Sequence, residues 1–411
     1  MSKNELISYL EGKLPRYLEL LKQMVLINSW TQNPAGVNEL GRFTAEVFGE
    51  LGFGAEYVPS QNAAWGQHLV LTRQGKGGKS IAMVSHLDTV YPPEEEERNH
   101  FKWTVEGDRI YGPGTNDIKG GTMMMWLMLV GLRDLEPELF DSITWKLFWN
   151  SSEEEYSPDF GKVCRERLMP NTLAALVFES EGRLGEQGLV VTSRKGRGTW
   201  RVTANGRGSH AGSKHSHGAN AVLQIAKTVE RISALTDYKK ELTVNVAKIQ
   251  GGTVLNRVPH EAVAEGEFRS FDPVVFEETK RTILGLNGKG EVQSVADRFA
   301  CELKAEIMTV SRPWPRNEGS DRLGQIWEEA GGELGMLAGH EQRGGLSDGN
   351  QIWDVVPTLD GLGPWGDNSH CSERSADGSK VPEYIEVPLI VPKAAWNIAA
   401  VKRLWLNGET C

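Results

Sequence analysis

The apolar run Ser80-Ile81-Ala82-Met83-Val84, which stops on Ser85-His86-Leu87-Asp88, constrains the fold of this chain more than any other feature. A short uninterrupted run of this kind reads as a strand buried on both faces, as at the centre of a parallel sheet. In open sheets of that type the ligand-holding groups gather beyond the carboxyl ends of the strands. His86 sits at such a tip, and Asp88 is near enough in the chain to take the imidazole's second N–H. That bond would fix the tautomer that leaves one nitrogen for a cation. An isolated strand-end histidine more often bonds a loop carbonyl. This one has company: Asp117, Glu153, Glu154, Glu179 and His370 also lie where a strand gives way to a loop, or in a glycine-rich loop.

Strands and helices alternate along the first part of the chain. Leu6, Leu10, Leu14, Leu18, Leu21 and Val25 recur at helical spacing, and Asn38 to Leu51 forms a second helix before Gly52. Tyr111 to Gly121 is a glycine-rich loop opening an apolar helix, Thr122 to Leu132. Ile143 to Trp149 and Ala174 to Phe178 are further buried strands. Near Ser193-Arg194-Lys195-Gly196 the texture changes. Strands at Gly198–Ala204, Leu242–Ile249, Ala262–Phe268 and Ala300–Val310 enclose helices at Asn220–Leu235 and Pro273–Leu286. After Arg312-Pro313-Trp314-Pro315 the alternation returns.

The expected architecture is therefore an α/β/α catalytic domain with a mixed sheet, built from residues 1–194 and 312–411. It carries an inserted α+β, ferredoxin-like domain at 195–311. At 411 residues the chain is too long for one core. Its net charge of −10, with no basic stretch, excludes a nucleic-acid partner. The longest apolar stretch falls short of the ~20 residues of a membrane span. Cys164, Cys301, Cys371 and Cys411 are scattered, which excludes a cysteine-ligated metal site and predicts free thiols in a reducing cytoplasm. Glu94–Glu97 reads as a solvated loop.

The constellation itself points to metal chemistry. Glu153 and Glu154 follow a buried strand, and adjacent carboxylates repel unless a cation separates them, so different jobs are expected of the two. His86, Asp117, Glu154, Glu179 and His370 are too many ligands for one catalytic zinc, which takes three and a water. Two cations sharing one carboxylate would have three ligands each and leave a position for water. Glu181 rivals Glu179, and Glu155 makes the register of the glutamate pair ambiguous by one.

Several segments resemble the M20 family of zinc-dependent metallopeptidases and amidohydrolases, on its carboxypeptidase G2 and acetylornithine deacetylase branch. They are Ser85-His86-Leu87-Asp88-Thr89-Val90, Tyr111-Gly112-Pro113-Gly114 with Asp117-Ile118-Lys119-Gly120-Gly121, and Asn150-Ser151-Ser152-Glu153-Glu154. Phe178-Glu179, Gly208-Ser209-His210-Ala211-Gly212, Asn256-Arg257-Val258-Pro259 and His370 complete the set, in the family's order. The resemblance implies that Asp117 bridges two divalent metals, zinc first and manganese or cobalt tolerated. His86 and Glu179 would complete one site, Glu154 and His370 the other. Glu153 would be general base and acid, and Asp88 would orient His86. The inserted domain would dimerise, His210 reaching the partner's active site to stabilise an oxyanion. Asn256, Arg269, Gly345 and Ser347 match positions that hold substrate. Three departures from the family pattern stand out: Ser180-Glu181 where proline usually follows the carboxylate, Cys371 where serine usually follows the histidine, and Glu155, which extends the glutamate pair by one.

The expected activity is hydrolysis of an amide-type C–N bond in a small carboxylate-bearing substrate, a C-terminal peptide bond or an N-acyl amino acid. Removal of an amine from an aromatic carboxylate is the alternative, for which tryptophans such as Trp314, Trp353 and Trp365 would suit an aromatic pocket. A catalytically silent binding protein on the same fold should have lost ligands, and this chain keeps every one.

Overall fold

The computed structural model describes residues 2–409, so Met1, Thr410 and Cys411 lie outside it. The chain divides into two compact units. Among the described residues the first comprises 2–192, 316–342 and 347–409, the second 193–315 and 343–346. The short piece Arg343–Leu346 thus joins the second unit, whereas the sequence places it with the returning segment.

The first unit is built on a six-stranded sheet. Its strands are β1 (Gly54–Pro59), β2 (Gln67–Arg73), β3 (Ser80–His86), β4 (Thr144–Asn150), β5 (Thr172–Val177) and the two-residue strand Thr358–Leu359, in the order β1-β2-β4-β3-β5-Thr358–Leu359. β4, β3, β5 and the last strand are parallel, while β2 runs antiparallel to β4, and β1 to β2. Every residue of β3 is buried, as its unbroken apolar run requires of a central parallel strand.

Alternate residues feed two cores. Ile81, Met83, Leu147 and Leu176 pack with helices α1 (Lys3–Val25) and α3 (Lys119–Leu135) and with the helix Ile390–Glu409. Ala82, Val84, Phe148 and Val177 face Phe160 and Val163 on the opposite side. Helix α3 is buried all round from Lys119 through Leu132, which explains its lack of a polar stripe. It begins three residues before the apolar run. The opening helix starts at a capping box, Ser2 with Glu5, one turn ahead of its first leucine. Helix α2 occupies Pro34–Gly49. Glu94–Glu97 corrects the solvated-loop reading: it lies in a short helix, Pro93–Arg98, and the Glu96 carboxylate accepts a bond from Asn28 Nδ2 at 2.8 Å.

The second unit is a five-stranded antiparallel sheet. β6 (Gly196–Asn205), β7 (Thr243–Gly251), β8 (Glu261–Ser270), β9 (Gly288–Gln293) and β10 (Ala300–Ser311) lie in the order β7-β8-β6-β10-β9. Helices α4 (Ala221–Ser233) and α5 (Pro273–Leu284) cover one face, where Ile225, Ile232, Phe276 and Ile283 meet Trp200, Val202, Ala264 and Phe268. The sequence predicts four strands. It misses β9, whose Gly-Lys-Gly-Glu start has no apolar alternation and buries only every second residue at its end. Cys164 and Cys301 are buried free thiols and Cys371 is a half-buried one. No helix of the described residues is long and apolar enough to cross a membrane.

Candidate metal centre

Three neighbouring parallel strands deliver the first groups. β3 ends on His86, β4 on Asn150 just before Ser151-Ser152-Glu153-Glu154, and β5 at Val177 just before Glu179. Parallel strands end in register, so their tips converge at one edge of the sheet. Asp117 comes from the glycine-rich loop ahead of α3. The chain comes close to itself there: a Cβ on Gly121 would stand 2.0 Å from the Phe178 carbonyl oxygen.

His86 Nε2 lies 2.9 Å from Asp117 Oδ1 and 3.8 Å from Glu179 Oε1. His370 Nε2 lies 3.4 Å from Asp117 Oδ2 and 3.2 Å from Glu154 Oε2. Two three-residue clusters result, His86–Asp117–Glu179 and Asp117–Glu154–His370, each with its ligand atoms within 4.8 Å of one another. Asp117 is common to both and offers one oxygen to each.

This donor set fits a pair of divalent cations. The buried Glu154 Oε1 has no hydrogen-bond partner, which is costly for a carboxylate oxygen unless a cation takes it. Without cations the site must find positive charge in its own imidazoles. Hydrogen bonds that it donates to Asp117 and Glu154 push His370 up to about 11. Burial works against charging His86, yet Asp117 and Asp88 together hold it well above the ordinary histidine value. Burial and the neighbouring Asp117 push Glu154 up to about 7. The carboxylates that favour a proton on each imidazole are the groups that would attract a cation in its place.

Asp88 does more than face His86. The imidazole Nδ1 lies 3.0 Å from the Asp88 main-chain oxygen and 3.3 Å from its Oδ1. The Asp88 carboxylate also accepts the amides of Glu153 at 3.0 Å and Glu154 at 3.2 Å, and the Thr31 hydroxyl at 2.7 Å. One buried side chain therefore ties the first histidine to the segment bearing both glutamates. Burial, with the charges of Asp348, Glu179 and Glu154 adding to it and that of His86 opposing, raises Glu153 well above the usual carboxylate range.

The two ambiguities in the sequence come apart in the tertiary structure. Glu181 is buried in an ion pair with Lys393 at 3.3 Å, and Arg183 approaches it at 3.5 Å, whereas Glu179 stands beside His86. Glu155 is exposed, and Glu154 is the glutamate that meets His370.

Other sequence-predicted residues lie in the second unit. His210 is exposed, and its Nδ1 accepts the amides of Gly212 and Ser213, each at 3.1 Å. Asn256 is beside it, its carbonyl accepting the Ala211 amide at 2.9 Å. Arg269 is not a free surface arginine: it pairs with Glu267 at 2.8 Å and donates to the Gly344 carbonyl at 3.1 Å, next to Gly345. Ser347 belongs to the first unit. Its hydroxyl donates to Asp360 at 2.7 Å and accepts the Gly349 amide, so it is occupied by structure.

Glu383 escapes sequence reasoning. It is fully buried, and one oxygen accepts the Asn116 and Asp117 amides at 2.7 and 2.9 Å while the other accepts the Tyr91 hydroxyl at 2.7 Å. It fixes the backbone that presents the shared aspartate. Asp348 is likewise buried, held by Asn150 at 2.8 Å, and burial pushes it up to about 7. Glu383 lies neither at a strand tip nor in the glycine-rich loop, the cues that the linear pattern offered, whereas Asp348 adjoins Ser347, which the sequence marks for substrate.

Comparison with known proteins agrees with this geometry. Residues 192–289 match the peptidase dimerisation domain of M20 enzymes. Carboxypeptidase G2 of Pseudomonas sp. (strain RS-16) is 28% identical over 401 residues, 95% of this chain and 92% of its own. Among solved structures, aminopeptidase PepT from Bacillus cereus superposes with a TM-score of 0.75 at 21% identity, covering 95% of this chain and 99% of its own. An M20 family metallo-carboxypeptidase from Sulfolobus solfataricus gives 0.68 at 17% identity over 95% and 99%. The structural likenesses carry the fold, and the shared-aspartate centre carries the chemistry of a dinuclear, metal-dependent hydrolase of amide-type C–N bonds. The chain has the fold and the dimerisation domain of M20 metallopeptidases and amidohydrolases, and its high-coverage likeness to carboxypeptidase G2 supports assignment to that family.

Proposed function

We propose that this enzyme cleaves the amide bond of a small, carboxylate-bearing substrate, either a C-terminal peptide bond or the acyl link of an N-acyl amino acid. The observation that carries the reading is Asp117, which places one oxygen in each cluster while Glu153, next to Glu154, belongs to neither. His86, Asp117 and Glu179 would hold one cation, and Asp117, Glu154 and His370 the other. Bound there, two divalent cations, zinc in the first instance, supply Lewis acidity to the scissile carbonyl and acidify water.

The protein's own groups do the remaining work. Glu153 takes a proton from the attacking water and passes it to the leaving nitrogen. Its burial favours the protonated form that this return step needs. Arg269, on β8, would pair with the substrate carboxylate, exchanging its two-point contact with Glu267 for one with the substrate. His210 would donate to the oxyanion. Its Nδ1 accepts two amides, so the ring's proton is on Nε2. The dimerisation domain gives the chain the capacity to pair, and His210 would serve the partner's centre.

A hydrolysis screen over N-acyl amino acids, dipeptides and aryl amides, with zinc or manganese added, tests the activity. In the Glu153→Ala variant, metal analysis should still find two equivalents per chain, while kcat falls by about 10²–10⁴. Wild-type turnover in that variant would refute the assignment.

A further inference from the structure

Behind the metal centre lies a second buried polar cluster that plays no part in the chemistry above. His68, the second residue of β2, is wholly buried. Its Nε2 lies 3.2 Å from Asp159 Oδ2. Its Nδ1 accepts the Ser151 amide at 3.1 Å, with the Ser151 hydroxyl at 3.2 Å. That hydroxyl sends its proton to the Gly66 carbonyl at 2.9 Å. Nδ1 is therefore the bare nitrogen, and the ring proton is on Nε2, donated to Asp159.

A serine, a histidine and an aspartate in line invite comparison with a nucleophilic triad, and the burial excludes it. Ser151 and His68 are both inaccessible, so no substrate carbonyl reaches the hydroxyl.

What the cluster does is hold a loop at both ends. Ser151 begins the segment Ser151–Ser157, and Ser157 ends it. The Ser157 hydroxyl donates to Asp159 Oδ1 at 3.0 Å, and the other Asp159 oxygen also takes the Gln61 amide at 2.7 Å. Between these two anchors stand Glu153 and Glu154. The Phe160 ring packs at 5.3 Å from the imidazole and keeps water from competing for either nitrogen.

We propose that His68 is a positioning residue: held by Asp159, its imidazole accepts the Ser151 amide and thereby sets where Glu153 and Glu154 stand. The idea rests on the functional reading only in that Glu154 is taken as a metal ligand. An imidazole presents its two nitrogens about where asparagine and glutamine place their polar ends, the nearer one like asparagine and the farther like glutamine. The two contacts can therefore be removed separately.

In His68→Gln the contact to Asp159 survives and the acceptor for Ser151 is lost. Zinc affinity, measured by competition against a chromogenic chelator, should fall about 10–100-fold, the usual effect of disturbing a ligand's support. His68→Asn restores the acceptor and should recover most of that affinity. Where His68→Gln does not fold, Asp159→Asn serves in its place, with the same expected loss. A long-range proton–nitrogen correlation spectrum of the histidine-labelled protein should show His68 protonated on Nε2 alone. Equal zinc affinity in the glutamine and asparagine variants, wild-type affinity in Asp159→Asn, or a proton on Nδ1 would overturn the proposal. Zinc affinity and the spectrum need no substrate. An enzyme inert toward every amide offered would sink the functional reading and leave this one standing.

Discussion

Glu179 and Glu181 are two residues apart and of one chemical type, yet they face opposite demands. Glu179 stands beside His86, and Glu181 is neutralised by Lys393 from the C-terminal helix. Their substitutions should therefore separate. Glu179→Ala should cost zinc stoichiometry or affinity with little loss of thermal stability. Glu181→Ala should keep both metals and lose on the order of 3 kcal/mol in urea unfolding, the effect of removing one partner of a buried ion pair. The reverse pattern would exchange the two assignments. Asp159 offers a pH test. Burial pushes its carboxyl up, but the His68 imidazole, the Gln61 amide and the Ser157 hydroxyl outweigh it and hold the group well below the ordinary carboxylate value. A depressed folded value means stability that is fully present above the unfolded value of about 3.9 and lost as pH falls through the folded one. Wild type should thus exceed Asp159→Asn in unfolding midpoint at neutral pH, and the gap should narrow progressively below about pH 4. A gap that stays constant into acid would mean that the charge contributes nothing.

At the scale of elements, the centre depends on how closely α3 packs against the end of β5. The helix starts with Lys119-Gly120-Gly121. A side chain on Gly120 would meet the Thr115 carbonyl oxygen at 2.2 Å, and one on Gly121 the Phe178 carbonyl oxygen at 2.0 Å. Both obstacles are backbone and cannot swing aside. Phe178 directly precedes Glu179, so relieving the clash in Gly121→Ala must move a metal-site carboxylate. The variant should lose about 1–3 kcal/mol by overpacking, visible as a lower melting temperature, together with weaker zinc binding. Wild-type values for both would show that the helix can shift without disturbing the site. Elements were legible wherever apolar periodicity was strong: β3, α3 and the two helices of the second unit. β9 was not, because its residues are mostly exposed and its pairing with β10 supplies the order that its composition lacks.

For the whole molecule, the question is whether each active site borrows His210 from a partner. His210→Ala alone should lower kcat by about 10²–10³, the usual cost of one oxyanion donor. Co-expression with Glu153→Ala distinguishes a shared site from a private one. If the donor comes from the partner, a mixed dimer contains one site with both an intact base and an intact donor. Random pairing would then restore roughly one quarter of wild-type turnover, since half the dimers are mixed and half their sites complete. If each chain uses its own His210, every site lacks one group and the mixture stays as inactive as its components.

The linear pattern by itself pointed to the residue types of the candidate metal centre and to an α/β architecture with an inserted domain. His86, Asp117, Glu154, Glu179 and His370 were visible because strand tips and a glycine-rich loop leave a local trace in apolar runs and glycine spacing. Only the tertiary structure chose Glu179 over Glu181, turned Asp88 toward the amides of Glu153 and Glu154, and brought in Glu383, Asp348 and His68. The physical reason is range. A strand or helix is written in neighbours a few residues apart, whereas a buried carboxylate is decided by the partner that neutralises it, and Lys393 stands more than two hundred residues from Glu181.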